Sequence, residues 1–306
     1  MRLDAELIAH LADERHMTTR RSVLLSTLTT FRIGGAADLV LTPHDGGAML
    51  RLLDLLSLSE TPFRVIGAAS NLLASDAGYD GAVVLTTKLD RISVADSFLR
   101  VGAGVRLSRA ANAAREASLS GLESLYGIPG SIGGAVAMNA GALGTEISSL
   151  IHSLTLYDPD TRRVFVSSPA ELDFSYRTSE ILTRRLVVLS AMLRLSHGDR
   201  ESIGKRMRRA VELRCERQPI GYASAGCVFK NPLGGRSAGE LIESVGMKGE
   251  RLGDAEISSH HANFIINLGK ASARDCLTLA ERARQAVFKT HGVQLEYELE
   301  LLGDFL

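Results

Sequence analysis

The sequence is short of cysteine, of long apolar runs and of surplus charge, and each shortage removes a class of protein. The three cysteines, Cys215, Cys227 and Cys276, are odd in number and far apart. They form neither a disulfide framework nor a metal pattern, which points to a reducing compartment. Lysine and arginine number 35, as do aspartate and glutamate, so no global field draws the chain to nucleic acid or to an anionic membrane. The one basic run, Lys205 to Arg209, falls in helical spacing and reads as a solvated face. The longest apolar stretches, such as 186–193, are far too short to span a bilayer. Met1-Arg2-Leu3-Asp4-Ala5-Glu6-Leu7 lacks the apolar core of a signal peptide. The expectation is a cytoplasmic monomer with no nucleic-acid or membrane partner. Two nucleotide signatures are also missing. No G-x-x-x-x-G-K-[ST] occurs, and Gly102-Ala103-Gly104 lacks the third glycine of a dinucleotide fingerprint.

What is present fits a packed enzyme of two or three lobes. Hydrophobic residues make up 45% of the 306 and charged ones 23%, a balance that can bury a core. Apolar spacing predicts helices over 46–58 and 107–117. Short apolar runs predict strands at 63–67, 82–86, 151–157, 186–195 and 263–268. Composition changes at Ser196 to Asp199, which marks a linker before a helix over about 200–216. A later long helix carries Ser272 and Asp275 as a capping pair and Gly292 beyond its end. Residues 294–302 alternate polar and apolar, as a half-buried strand would. The region 121–144 is dense in glycine.

Two glycine-rich tracts are the first candidates for chemistry. In Val65-Ile66-Gly67-Ala68-Ala69-Ser70-Asn71 a strand ends in small residues, which lets backbone N–H groups approach a phosphate. A tight turn that binds nothing fits the same residues. In Gly127-Ile128-Pro129-Gly130-Ser131-Ile132-Gly133-Gly134-Ala135, proline fixes one φ while glycines permit either sign at their positions, giving a bent, rigid loop. Val136 to Gly141 is small almost throughout and leaves room for a bulky ring. A packing turn without a ligand is the alternative.

The motifs taken in order resemble the UDP-N-acetylenolpyruvoylglucosamine reductase family, in its shorter subclass, from about Thr29 to the C-terminus. The resemblance rests on Thr30-Phe31-Arg32-Ile33-Gly34-Gly35, Gly67 to Leu73, Gly121-Leu122-Glu123, Gly127 to Gly144, Phe174-Ser175-Tyr176-Arg177-Thr178-Ser179, Ser224 to Pro232, Ser258 to Asn267 and Leu295-Glu296-Tyr297-Glu298. It implies an α+β fold: a two-lobed FAD-binding region of the p-cresol methylhydroxylase type over 1–198, with lobes of about 1–90 and 91–198. A smaller α+β substrate-binding domain over 199–306 follows, whose C-terminal strand, 294–306, returns to the flavin lobes. The implied activity is that of an NADPH-dependent FAD reductase in peptidoglycan precursor synthesis, acting on UDP-N-acetylglucosamine enolpyruvate. NADPH reduces FAD, and hydride then passes to C3 of the enolpyruvyl group.

The same resemblance assigns roles by position. Arg177 would fork onto the substrate carboxylate; taken alone, it reads as an ordinary salt-bridge arginine. Glu298 would hydrogen-bond to the developing anion, although the period-two rule puts Glu296 and Glu300 on the same face. Cys227 stands where the family has its proton donor, serine in many members. A thiol of ordinary pKa near ~8.5 is a far stronger acid than a hydroxyl; a small buried hydrophobe is the plainer reading. Cys215 and Cys276 are packing residues. The FAD cradle would comprise Gly67, Ala68, Ala69, Ser70, Asn71 and Leu72 with Gly127, Ile128, Pro129, Gly130, Ser131, Gly134, Ala135 and Asn139. Substrate would meet Tyr176, Arg217, Asn231 and His261. No metal is expected, since His260 and His261 would point apart in a strand.

Two positions depart from the family pattern. Ala69 stands for the second glycine of the first loop, where a positive φ would add strain of about 1 kcal/mol. Leu143 stands where many relatives carry tyrosine. The alternatives are an FAD-dependent oxidoreductase of the same fold acting on another substrate, or a catalytically decayed UDP-sugar or flavin sensor.

Overall fold

The computed structural model describes residues 16–305; the reading of residues 1–7 lies outside them. The described chain forms two compact units. One comprises 16–21, Leu39–Ala68 and Gly81–Leu213, and the other Ser22–Asp38, Ala69–Asp80 and 214–305.

A four-stranded sheet, most of whose residues belong to the first unit, runs in the order Met17–Leu24, Ala36–Pro43, Tyr79–Leu85, Phe63–Ile66, its last pair parallel. The helix Gly46–Leu58 starts where Asp45 Oδ1 accepts the Ala48 N–H at 2.8 Å. It buries Met49, Leu52, Leu53 and Leu56, spaced three and four apart, with Leu39, Leu41 and Val84. Each buried leucine contributes roughly 1.5–3 kcal/mol, so this apolar stripe, more than propensity, holds the helix.

The second sheet is antiparallel, in the order Arg163–Ser167, Ile151–Asp158, Val187–Arg194, Phe98–Gly102, Ile92–Ala95. Strand alternation divides its side chains between two cores. Leu154 and Leu156 pack with the helix Leu107–Glu116, whereas Tyr157 joins the core beneath the helix Gly46–Leu58 and donates to Asp54 at 2.8 Å. The helix Arg200–Arg217 contributes Ile203 and Met207 to the Leu154 core, leaving Lys205, Arg206, Arg208 and Arg209 exposed. The basic run is a solvated face.

The second unit packs the helix Ala273–His291 on a meander of Arg251–Leu252, Ala255–Ile257 and Ile265–Asn267. Ser272 and Asp275 cap that helix reciprocally, and Gly292 ends it at φ +69°, a conformation glycine adopts without penalty. Cys276, Leu279, Ala280, Ala283 and Val287 form its buried stripe.

Two expectations need correction, on the C-terminal strand and on the glycine-dense region. The two compact units themselves interleave along the sequence. Ile203 and Met207 belong to the first unit's core, while Phe31, Ile33 and Leu73 belong to the second's; burial, not sequence continuity, decides. The strand expected over 294–302 is only Glu300–Leu302, paired in parallel with Leu72–Ala74. Residues before it make a single bridge, Phe229 with Tyr297, though Leu295 and Leu299 still alternate inward. Inside the glycine-dense region, expected to be loop, lies the short helix Ile132–Ala137, started by Ser131 as its N-cap.

Candidate active site

In the first unit the two glycine-rich tracts touch. A Cβ on Gly67 would stand 1.9 Å from Ser131 Oγ, so only glycine permits this approach. Ser131 Oγ accepts the Gly134 N–H at 3.4 Å. The helix it starts is fastened to 103–105, with the Ile132 N–H on Val105 O and the Gly133 N–H on Ala103 O, both at 2.8 Å. Ala135 is buried beneath, its N–H on Ser131 O. Gly67, Ala68, Gly127, Ile128 and Gly130 are half-buried, and Pro129 and Gly134 are exposed. Nothing but Ser131 Oγ, at 3.6 Å, comes near the missing Cβ of Gly134. The result is a strip of nearly bare backbone, which fits a flat, bulky cofactor such as FAD. Gly102 and Gly104 are different. A Cβ there would meet Leu89 O at 2.2 Å and Thr86 O at 1.9 Å, so they are packing glycines.

Arg177 belongs to the same unit and occupies a two-residue turn. Phe174 pairs with Ser179 and Ser175 with Thr178, leaving Tyr176 and Arg177 at the tip. Arg177 has φ +56°, a region unusual for a residue with a branched or long side chain and found where surrounding structure over-determines the backbone. Its Nη2 donates to Gly141 O at 2.7 Å, and its guanidinium lies 5.0 Å from the centre of the Tyr176 ring. Gly141 opens a second hairpin, paired with Glu146, whose tip residues Leu143 and Gly144 both have positive φ, +50° and +81°.

In the second unit, Cys227 lies on a segment gripped from both sides. It bridges Phe264, and the Val228 N–H donates to Asn263 O at 2.8 Å. On the other side Val228 O accepts the Glu298 N–H at 2.9 Å, and Glu296 O accepts the Lys230 N–H at 2.8 Å. The Asn263 amide makes both hydrogen bonds that a strand partner would, accepting from Phe229 N at 3.0 Å and donating to Phe229 O at 2.8 Å. Gly226 enters the segment at φ +82°. Cys227 and Glu298 are both half-buried. By contrast Cys276 is buried, and desolvation pushes its thiol up to about 12; Cys215 is exposed. Glu296, expected on the same face as Glu298, reaches Lys230 Nζ at 3.9 Å.

Several residues expected at the cofactor or substrate also make contacts within the fold. Asn71 Nδ2 donates to Glu298 O at 2.8 Å, and Leu72 is buried in the strand beside Glu300; both hold the C-terminal segment. Ala69, at φ +50°, has its carbonyl on the Thr30 N–H at 3.2 Å. The condition for strain at Ala69 is met. Asn139 is fully buried, and its side-chain hydrogen bonds go to Glu146, Ser175 and Ser148. Asn231 Oδ1 accepts the Ala238 N–H at 3.0 Å, fixing the start of the helix Ala238–Ser244. His261 Nδ1 accepts the Asn263 N–H at 3.2 Å, with its ring edge-on to Phe264 at 5.0 Å. Desolvation lowers its pKa, which keeps it neutral and able to accept. Arg217 is exposed at the end of its helix, and Tyr176 is half-buried beside Arg177. His260 turns away to Glu216 O at 2.9 Å, and among the described residues no group of three metal-type ligands gathers. Sequence reasoning missed Asn263 and Glu146. Both are polar residues at the edges of recognised motifs, and only tertiary partners reveal their use.

Residues 37–167 match the family model of an FAD binding domain, and 218–302 that of the UDP-N-acetylenolpyruvoylglucosamine reductase C-terminal domain. The chain is 40% identical over 285 residues to the UDP-N-acetylenolpyruvoylglucosamine reductase of Clostridium novyi (strain NT), covering 93% of this chain and 92% of that protein. It is 41% identical over 285 residues to UDP-N-acetylenolpyruvoylglucosamine reductase 2 of Symbiobacterium thermophilum, again covering 93% and 92%. The crystal structure of UDP-N-acetylenolpyruvylglucosamine reductase from Thermus caldophilus is similar at TM-score 0.80 and 38% identity, covering 94% of this chain and 99% of that one.

Proposed function

The chain belongs to the UDP-N-acetylenolpyruvoylglucosamine reductase family, and on that premise we propose that it reduces UDP-N-acetylglucosamine enolpyruvate to UDP-N-acetylmuramate for peptidoglycan synthesis. It is an FAD-dependent oxidoreductase that uses NADPH. FAD, when bound and reduced, supplies the hydride that C3 of the enolpyruvyl group accepts. Gly67, Ala68, Gly127 to Ser131 and Gly134 would hold it.

The remaining work falls to the chain's own side chains. Hydride at C3 leaves an electron pair at C2, delocalised into the adjacent carboxylate. The Arg177 guanidinium pairs with that carboxylate and stabilises the added charge. Glu298 supplies a hydrogen bond to the same anion. Cys227 Sγ–H then delivers its proton to C2, and the saturated lactyl ether results. Tyr176 and Arg217 are the residues proposed to meet the nucleotide sugar. The observation that supports these roles best is the pairing of the Cys227 segment with Glu298, through the Glu298 N–H to Val228 O at 2.9 Å. The proposed workplace is the cytoplasm, as a monomer acting on small molecules; three scattered cysteines and balanced charge support this. Among the described residues no helix is long and apolar enough to cross a membrane.

The test is spectroscopic. Purified protein should be yellow, bleach with NADPH and regain its colour on adding the enolpyruvyl nucleotide under anaerobic conditions. A preparation that bleaches but is reoxidised by no enolpyruvyl compound contradicts the proposal.

A further inference from the structure

Two side chains near Arg177, those of Asn139 and Glu146, take no part in the steps proposed above. The guanidinium hangs from Gly141 O at 2.7 Å. Gly141 pairs with Glu146 across a hairpin. A Cβ on Gly141 would stand 3.0 Å from Glu146 Cγ and 3.2 Å from Arg177 Nη1, so carboxylate arm and guanidinium converge on one bare backbone position.

Asn139 ties this hairpin to the one that carries Arg177. Its Nδ2 donates to Glu146 Oε2 at 3.0 Å and to Ser175 O at 3.0 Å, and its Oδ1 accepts the Ser148 N–H at 3.3 Å. Ser175 immediately precedes the Tyr176-Arg177 turn. Asn139 is 0% exposed, and both hydrogens of its amide are committed. It also sits at φ +44°, where asparagine is among the few non-glycine residues tolerated. Aspartate at this position would put an acceptor against the acceptors Glu146 Oε2 and Ser175 O.

Resting on the reading of Arg177 given above, we propose that Asn139 and Glu146 are positioning residues for substrate recognition. Asn139 fixes the spacing of the two hairpins, and Glu146, anchored by it, sets the face that the Arg177 fork presents to the substrate carboxylate. Neither residue transfers a proton or touches the reacting carbons. Planar bidentate recognition tolerates little angular error, so loosening either residue weakens binding of the carboxylate before it affects the reduction of FAD by NADPH.

The experiment compares wild type with Glu146→Ala, Glu146→Gln, Asn139→Ala and Asn139→Asp as holoenzymes. Three quantities are measured: KM and kcat for the enolpyruvyl nucleotide, the rate of reduction by NADPH, and calorimetric affinity of the oxidised protein for the enolpyruvyl nucleotide. Glu146→Ala should raise KM and weaken calorimetric affinity at least about tenfold, with NADPH reduction within about twofold of wild type. Glu146→Gln keeps an oxygen acceptor for Asn139 Nδ2 and should recover most of that loss. Asn139→Asp should be worse than Asn139→Ala. Buried Asn139 variants that fail to fold leave the decision to Glu146, which is half-buried on a hairpin. Unchanged affinity in Glu146→Ala, or equal loss in both half-reactions with no recovery in Glu146→Gln, overturns the proposal. A wild type that binds and turns over no enolpyruvyl nucleotide overturns the proposed function itself, and this inference with it.

Discussion

The turn that carries Arg177 and the segment that carries Cys227 are each tied by backbone pairing and an asparagine amide, yet they present side chains of very different length. Arg177 sits in a left-handed backbone conformation at a hairpin tip, and its guanidinium donates to Gly141 O. Cys227 sits on a bent segment of isolated bridges, hydrogen-bonded to the backbone of Asn263, Glu296 and Glu298, with the Asn263 amide imitating a strand partner. The first arrangement fixes the direction of a long, charged side chain. The second fixes the position of a short one, through backbone partners and the Asn263 amide. The comparison teaches that a long side chain needs an anchor at its far end, whereas a short one is located by the segment that carries it.

The largest expected consequence is at Arg177 itself. Arg177→Ala should lower kcat/KM for the enolpyruvyl nucleotide about a thousandfold, equivalent to roughly 4 kcal/mol. Arg177→Lys should recover little of that, because a point charge cannot fork. Steady-state kinetics with both variants check this, and full activity in Arg177→Lys would separate charge from geometry.

Breaking the other side requires Asn263. Asn263→Ala leaves the N–H and the carbonyl of fully buried Phe229 without partners, at about 1–3 kcal/mol each. Denaturant unfolding should show a loss of roughly 2–5 kcal/mol; a loss below 1 would mean that the clamp is dispensable.

A smaller effect sits in the first unit, at the Glu123 carboxylate. Burial acts to raise its pKa, but Arg206 at 2.6 Å, Ser120 and the Gly121 N–H lower it, and the net shift is downward. A folded pKa below the unfolded one means stability that is present above the unfolded value and lost as pH falls through the folded value. Thermal unfolding from neutral to acid pH should therefore show the wild type's advantage over Glu123→Gln shrinking below about pH 4.5. An advantage independent of pH would assign the effect to packing.

The smallest expected change is a gain. Leu143 occupies the first position of a two-residue hairpin tip with positive φ and is 55% exposed. Leu143→Asn should stabilise the protein by up to about 1 kcal/mol, read as a raised Tm.

The helices Gly46–Leu58 and Ala273–His291 were legible because spacing, caps and terminators agree in one local stretch. The glycine tracts were legible as tight turns of bare backbone, and Gly67 does approach Ser131. The helix Ile132–Ala137 was hidden, since its glycines carry no periodic signal. The interleaving of units was hidden as well, because nothing near Phe31 or Leu73 indicates which core will bury it. The backbone groups that Asn71, Asn139 and His261 satisfy were not legible, because such partners come from the fold rather than from the local sequence.

The most direct measurement is anaerobic stopped-flow spectroscopy on Cys227→Ala. Its flavin should be reduced by NADPH at the wild-type rate and reoxidised by the enolpyruvyl nucleotide at least about a hundredfold more slowly, with Cys227→Ser retaining much of the activity. Equal slowing of both half-reactions, or unchanged reoxidation, would contradict proton donation from Cys227.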